Sequence, residues 1–193
     1  MQSGCHLVTG ANGFVGRALS MVLVQNGYNV RSAVRDASFK AGLEGKLVGV
    51  GEIDSHTNWD AALLGVDTII HLAARAHVLR ERTRDPLTAF RIVNVAGTER
   101  LAQVAAEKGV RRIVYVSSIG VNGNSTGFKP FTESSIPAPY SPYTVSKYEA
   151  EHALLNVASQ TGLEVVIIRP PLVYGPNNPG NFLRLLKLVQ RGF

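Results

Sequence analysis

The residue pattern predicts an α/β protein: a doubly wound parallel sheet with helices on both faces, in three α/β/α layers. Three observations carry this reading. Short apolar segments alternate along the whole chain with longer segments of helical period, the rhythm of strand–helix–strand units. The strand segments are apolar almost throughout, so both of their faces are destined for burial. The first strand–helix junction is crowded with glycine, "TGANGFVG" over Thr9 to Gly16. Glycine costs stability in ordered structure unless its missing side chain is needed.

The elements follow in order. "HLVT" (6–9) is the first strand, with Cys5 read as a small buried filler beside it. Residues 14–27 carry Phe14, Val15, Leu19, Val22 and Leu23 at helical spacing, and Gly27 stops the helix. "YNVRSAVR" (28–35) and "KLVGVG" (46–51) are the second and third strands. "NWDAALLG" (58–65) is a short helix and "DTIIHLA" (67–73) the fourth strand. A long helix covers 86–108 and ends at Gly109. "RRIVYVSS" (111–118) is the fifth strand. Residues 120–142 are rich in Gly, Ser and Pro and form a loop too long for mere connection, which marks it as functional. Residues 143–161 are helical, "LEVVIIRP" (163–170) is the sixth strand, and 181–191 is helical again.

Composition narrows the function. A length of 193 residues suffices for one substantial domain, and 45% hydrophobic with 18% charged residues is ordinary for a globular protein. No apolar run approaches the roughly 20 residues that span a bilayer, so no membrane is expected. No basic start with a long apolar stretch follows Met1, so no signal peptide is expected. One cysteine excludes an internal disulfide and suits a reducing cytoplasm. The net charge of +6 is spread along the chain. Its densest patch, "RAHVLRERTR" with Arg75, Arg80, Arg82 and Arg84, reads as a solvated loop and helix start, or as a place near an anionic small ligand. No basic stripe is interleaved with aromatics, so nucleic acid is not expected. The histidines at 6, 56, 71, 77 and 152 have no metal-binding spacing, and His71 inside the fourth strand reads as a core residue.

The glycines have a use at the carboxyl edge of such a sheet. A pyrophosphate can rest on the helix N-terminus, held by backbone N–H groups and the helix dipole. Gly10 makes the tight turn, Gly13 lets a ligand approach the backbone, and Gly16 lets helix and strand pack closely. The strand before and the helix after are the context a Rossmann-type dinucleotide site requires. No Lys–Ser/Thr pair follows, which excludes a P-loop. Further along, Tyr143 and Lys147 in "YTVSK" share one helix face. A tyrosine of pKa near 10 is a poor base. A neighbouring ammonium is expected to lower that pKa and make a better base of Tyr143. Ser117 and Ser118 end the fifth strand without a GxSxG context, against a nucleophilic hydrolase.

Together, "TGANGFVG", "NVAGT" (94–98), "VSSIGVNG" (116–123), "YTVSK" and "RPPLVYGP" (169–176) resemble the extended short-chain dehydrogenases/reductases, the NAD-dependent epimerase/dehydratase family of nucleotide-sugar enzymes. The resemblance runs in family order over essentially the whole chain. It implies NAD or NADP held by Gly10, Asn12, Gly13, Phe14, Val15 and Gly16. It also implies Leu72, Ala73 and Ala74 beneath the ribose and phosphates, Glu52 and Ile53 beside the adenine, and Pro170 and Pro171 passing the nicotinamide. Asn94 matches an asparagine that braces the sheet near the active site, with helix-internal packing or direct chemistry as its other readings. It is implied with Tyr143 and Lys147 as cofactor-binding. Tyr143 is implied to move a hydroxyl proton while hydride moves to or from the cofactor. Ser118, five residues before Gly123, is implied as the serine that binds the substrate oxygen, with Ser117 the alternative. Asn181 and Phe182 match a pair that meets a substrate diphosphate.

For the cofactor, the ribose-binding position falls on Val34, followed by Arg35, with Asp36 one or two residues late. "AVRD" resembles NADP-using reductases in which the arginine pairs with the 2′-phosphate, though Arg35 also reads as a solvated loop residue. NADP is slightly preferred. The implied reaction is transient oxidation of a hydroxyl on a UDP-linked sugar. Leu172 stands where many nucleotide-sugar members carry asparagine, so an NADP-dependent reductase of a keto-sugar or other carbonyl compound is the alternative. A non-catalytic sensor or scaffold would show a damaged Tyr–Lys or serine motif, and all three residues are present. The family commonly dimerises through two helices, here 86–108 and 143–161. Residues 1–193 are read as the dinucleotide-binding domain, with a C-terminal substrate-binding region absent or truncated.

Overall fold

The computed structural model describes residues 4–38, 42–76, 83–176, 178 and 181–192. The chain runs β1 (Cys5–Thr9), α1 (Phe14–Gln25), β2 (Val30–Val34), β3 (Lys46–Gly49), α2 (Asp60–Leu63), β4 (Val66–His71), α3 (Pro86–Arg91), α4 (Gly97–Glu107), β5 (Arg112–Val116), α5 (Pro142–Thr161), β6 (Glu164–Ile168) and α6 (Asn181–Gln190). Six parallel strands form one sheet in the order β3-β2-β1-β4-β5-β6. The winding reverses between β1 and β4, and a crevice opens there at the carboxyl ends of the strands.

Alternation along each strand divides the core in two. Leu7, Ala33, Ile69, Ile113 and Tyr115 pack with Trp59 and Leu63 near α2, Leu101 and Ala105 of α4, and Ala150 and Leu154 of α5. Val8, Val30 and Val34 face the other way, against Leu19 and Leu23 of α1. This second face is well covered over β1 and β2 but thins at β6, where Val166 and Ile168 are half-exposed. Cys5 is buried, as its position suggests. Among the described residues no helix is long and apolar enough to cross a membrane.

Three local differences from the sequence reading have physical causes. The second strand begins at Val30 because Tyr28 still belongs to the cap of α1. Gly27 adopts φ 79°, its N–H bonds to the Val24 carbonyl, and the Tyr28 N–H reaches back to Leu23. The 86–108 helix is interrupted by a π-helical turn at Ile92–Ala96. Widened turns of this kind concentrate at functional sites, and this one holds Asn94. The helix expected from 143 starts at Pro142, capped by Ser141, whose hydroxyl accepts the Thr144 N–H while Thr144 Oγ1 accepts the Ser141 N–H.

Candidate active site

The glycine turn comes first along the chain. Gly10 has φ 62°, and a Cβ there would lie 2.8 Å from the Ala73 nitrogen. A side chain at Gly16 would run into the Gly10 carbonyl and lie 2.8 Å from Ala11 Cα. Gly13 is the N-cap of α1 and supplies no side chain to its first turn, which also holds no acidic residue. The amide end of α1 is therefore left without an anionic or side-chain cap, in a backbone cradle that any Cβ would crowd. These residues fit the pyrophosphate of a dinucleotide. Asn12 closes the turn through its carbonyl, which accepts from Arg17 Nε at 3.0 Å, and Phe14 and Val15 open α1.

The floor of the crevice is tied by the end of β1. Thr9 Oγ1 accepts the Leu72 and Ala73 N–H groups, each at 3.1 Å, and lies 2.7 Å from His71 Nδ1. With two donors already on that oxygen, its one hydrogen goes to Nδ1. The Nε2 proton of His71 then points to Thr98 Oγ1 at 3.0 Å. His71 is thus a satisfied core residue, as its place in the strand suggests. Burial pulls its pKa down to about 3, and the Lys147 ammonium pushes the same way.

Asn94 is buried and clamps the chain after β4 to α5. Its Oδ1 accepts the Arg75 N–H at 2.8 Å, and its Nδ2 donates to the Arg75 carbonyl and to Ser146 Oγ. Both amide hydrogens and one lone pair of Oδ1 are thus engaged in tying these segments together. Ala74 lies on the clamped stretch beside Arg75, half-buried.

Tyr143, Lys147 and Glu151 lie successive turns apart on α5. Ser118 caps a 3-10 turn (Ile119–Val121), its Oγ accepting the Gly120 N–H at 3.2 Å. Gly120 lets this turn nest against α5: a Cβ there would strike the Thr144 methyl at 2.6 Å and lie 3.4 Å from Ser118 Oγ. The Ser118 hydroxyl and the first turn of α5 are so brought together. Ser117 points elsewhere, donating to Glu151 Oε1 in the interior. Arg169 grips the same carboxylate with two nitrogens and reaches Asn122 Oδ1 at 3.2 Å.

One electrostatic expectation is corrected. Burial pushes the Tyr143 phenol above its usual pKa; no lowering by Lys147 is found. The Lys147 head lies instead over the Tyr115 ring, 4.1 Å from its centroid. Burial pulls the Lys147 ammonium down to about 7 against the pull of the Glu151 carboxylate. Tyr143 packs edge-on against Phe90, with centroids 6.0 Å apart.

The remaining expected residues scatter. Arg35 Nε pairs with Glu52 Oε1 at 3.0 Å, both side chains about 70% exposed (72% and 70%). Ile53 packs against Gly97 of α4. The Pro170 carbonyl accepts the Ile119 N–H at 3.0 Å, and Pro171 and Leu172 beyond it are exposed. Asn181 and Phe182 begin α6, with their side chains outside what is described. Arg80, Arg82 and His77 of the basic patch lie outside the described residues. The sequence reading missed Thr9, Tyr115, Ser146, Glu151 and Arg169 as site supports. Only Glu151 had a local signal, its place two turns beyond Tyr143 on the same face.

Known proteins resemble this chain in sequence and fold. A model of the NAD dependent epimerase/dehydratase family matches residues 6–189. The UDP-glucose 4-epimerase of Vibrio cholerae is 44% identical over 188 residues, which are 96% of this chain and 57% of that one. A putative dihydroflavonol 4-reductase of a Synechocystis species is 33% identical over 177 residues, 89% of this chain and 50% of that one. Among solved structures, MoeE5 in complex with UDP-glucuronic acid and NAD has a TM-score of 0.82 at 32% identity, over 98% of this chain and 62% of that one. The chain thus spans little more than half the length of the curated relatives it matches. With the glycine cradle, the winding order and the family match over nearly its full length, the chain belongs to the NAD dependent epimerase/dehydratase family.

Proposed function

We propose that the protein works as a nucleotide-sugar epimerase or dehydratase, oxidising a hydroxyl of a UDP-linked sugar transiently with bound NAD or NADP. The observation that carries this is Tyr143 and Lys147 one turn apart on α5, with the turn that Ser118 caps nested through Gly120 on Thr144 in the first turn of that helix. Ser118 Oγ binds and orients the reacting oxygen. Tyr143 takes the hydroxyl proton and later returns it. Burial disfavours the Tyr143 phenolate and pulls the Lys147 ammonium, one turn along α5, down to about 7, so the positive nicotinamide of a bound oxidised dinucleotide would have to add to that ammonium in favouring the phenolate. A bound dinucleotide would supply the hydride acceptor for this chemistry. The bare amide end of α1 seats the pyrophosphate, Leu72, Ala73 and Ala74 are assigned beneath the ribose and phosphates, and Pro170 and Pro171 to the nicotinamide. Asn181 and Phe182 are assigned to the substrate diphosphate.

Arg35 supports NADP as well as NAD. Its partner Glu52 is as exposed as it is, so turning the guanidinium to a 2′-phosphate exchanges one screened ion pair for another. The second reading, an NADP-dependent carbonyl reductase, is favoured by Leu172 in the stretch where asparagine is expected. Pairing of two copies through α3–α4 and α5 is supported by the half-exposed Ile92 and Leu155 near those faces.

The test incubates the purified protein with UDP-glucose and a trace of NAD or NADP, and follows the sugar by NMR. Formation of the 4-epimer without net reduced cofactor supports the epimerase. Consumption of NADPH in proportion to a keto substrate supports the reductase. Failure of both NAD and NADP to bind overturns both readings.

A further inference from the structure

We propose that Tyr115 is a positioning residue for Lys147, its ring face rather than its hydroxyl seating the lysine head beneath the site. Lys147 Nζ lies 4.1 Å from the Tyr115 ring centroid, and both residues are almost fully buried. A buried ammonium has few ways to be held, and an aromatic face is one. The ring itself has a held neighbour. His71, its cross-strand partner in the β4–β5 register, stacks with it at 5.7 Å between centroids and 26° between planes. Thr9 and Thr98 hold the imidazole at both nitrogens. The imidazole is neutral and does not oppose the ammonium. Glu151, one turn along α5, supplies attraction at longer range, because its oxygens are already engaged by Arg169 and Ser117.

The Tyr115 hydroxyl adds nothing of this kind. It is buried without a hydrogen bond of ordinary geometry, and the Thr98 hydroxyl offsets only a little of the upward push of burial on its pKa. A phenylalanine keeps the face and loses only that hydroxyl. A leucine fills similar space and loses the face.

The test uses the full chain labelled with ε-13C-lysine, with the Lys147 signal identified by its loss in Lys147→Arg. Ring current moves the Lys147 Hε protons upfield in the native protein. Tyr115→Phe retains that shift, and Tyr115→Leu abolishes it. In turnover of UDP-glucose with NAD, Tyr115→Phe stays within about threefold of wild type, while Tyr115→Leu loses roughly 30-fold in kcat with little change in KM. An ordinary lysine shift in the native protein overturns the proposal, as does a Phe variant that loses the upfield signal or is as impaired as the Leu variant. If the Leu variant does not fold, the native and Phe signals decide alone. The turnover arm rests on the proposed function. An upfield Lys147 signal with no turnover of UDP-glucose overturns that substrate and leaves the role of Tyr115 standing.

Discussion

Arg169 and Glu151 form a two-point ion pair beneath the site, with Nε 2.9 Å from Oε1 and a second contact from Nη2 to Oε2. Only 3% of the Glu151 side chain and 21% of Arg169 is exposed. The pair joins the end of β6 to α5, and Ser117 adds the end of β5. Three segments that carry proposed site residues are locked at one point.

Breaking one side of this pair strands a buried charge. Glu151→Ala is expected to destabilise the protein by about 3 kcal/mol, read as a lower denaturant midpoint. Glu151→Leu combined with Arg169→Met should recover much of the loss, because both charges then leave together. A double variant no better than the single one argues against the pair as the cause.

The two serines should separate by readout. Ser118→Ala removes the proposed substrate-binding hydroxyl and its cap on the Gly120 N–H, so turnover falls about 100-fold and stability by about 1 kcal/mol or less. Ser117→Ala leaves a buried Glu151 oxygen short of a donor, and stability falls by about 1–3 kcal/mol while the folded enzyme keeps its turnover. Tyr143→Phe should cost at least about 100-fold in kcat and leave dinucleotide affinity within a few-fold. Swapped serine phenotypes would reassign the substrate contact to Ser117.

Gly13→Asp sets stability against binding. The position has extended geometry (φ −74°, ψ 173°), which suits an acidic N-cap, although a Cβ there lies 3.1 Å from the Gly10 carbonyl. Stability should stay within about 1 kcal/mol of wild type. A carboxylate on the amide end of α1 repels a pyrophosphate, so dinucleotide affinity should drop by about 100-fold or more in calorimetry. Unchanged affinity would remove the pyrophosphate from this turn.

His71 ties stability to acid. Its native pKa is held near 3, below the 6.5 of an unfolded histidine. Between those values the unfolded chain binds a proton that the native chain refuses, so stability falls as pH drops through that window. The slope for one such group approaches about 1.4 kcal/mol per pH unit. His71→Gln keeps a polar group between Thr9 and Thr98 and cannot titrate. The gap in stability between wild type and variant should therefore change in the variant's favour from pH 7 to pH 4. Parallel curves would show that His71 protonates in the native state.

Much of this protein could be read directly from its residues. The strand and helix rhythm, the stop at Gly27, the glycine turn and the Tyr143–Lys147 spacing all depend on a few consecutive residues and the sterics of their backbone. Folding left them where the pattern put them. Which of Ser117 and Ser118 turns inward needed the sheet, because adjacent residues at a strand end face opposite sides, and packing settles which side holds Glu151. Asn94 looked like a helix residue until the π turn carried it to Arg75 and Ser146. Lys147 was expected to serve Tyr143 directly, yet the seat of its ammonium is a tyrosine 32 positions earlier, placed by the β4–β5 register. Short-range geometry is written into neighbouring residues. Contacts between distant segments arise only when strand pairing and core packing bring their side chains to the same depth.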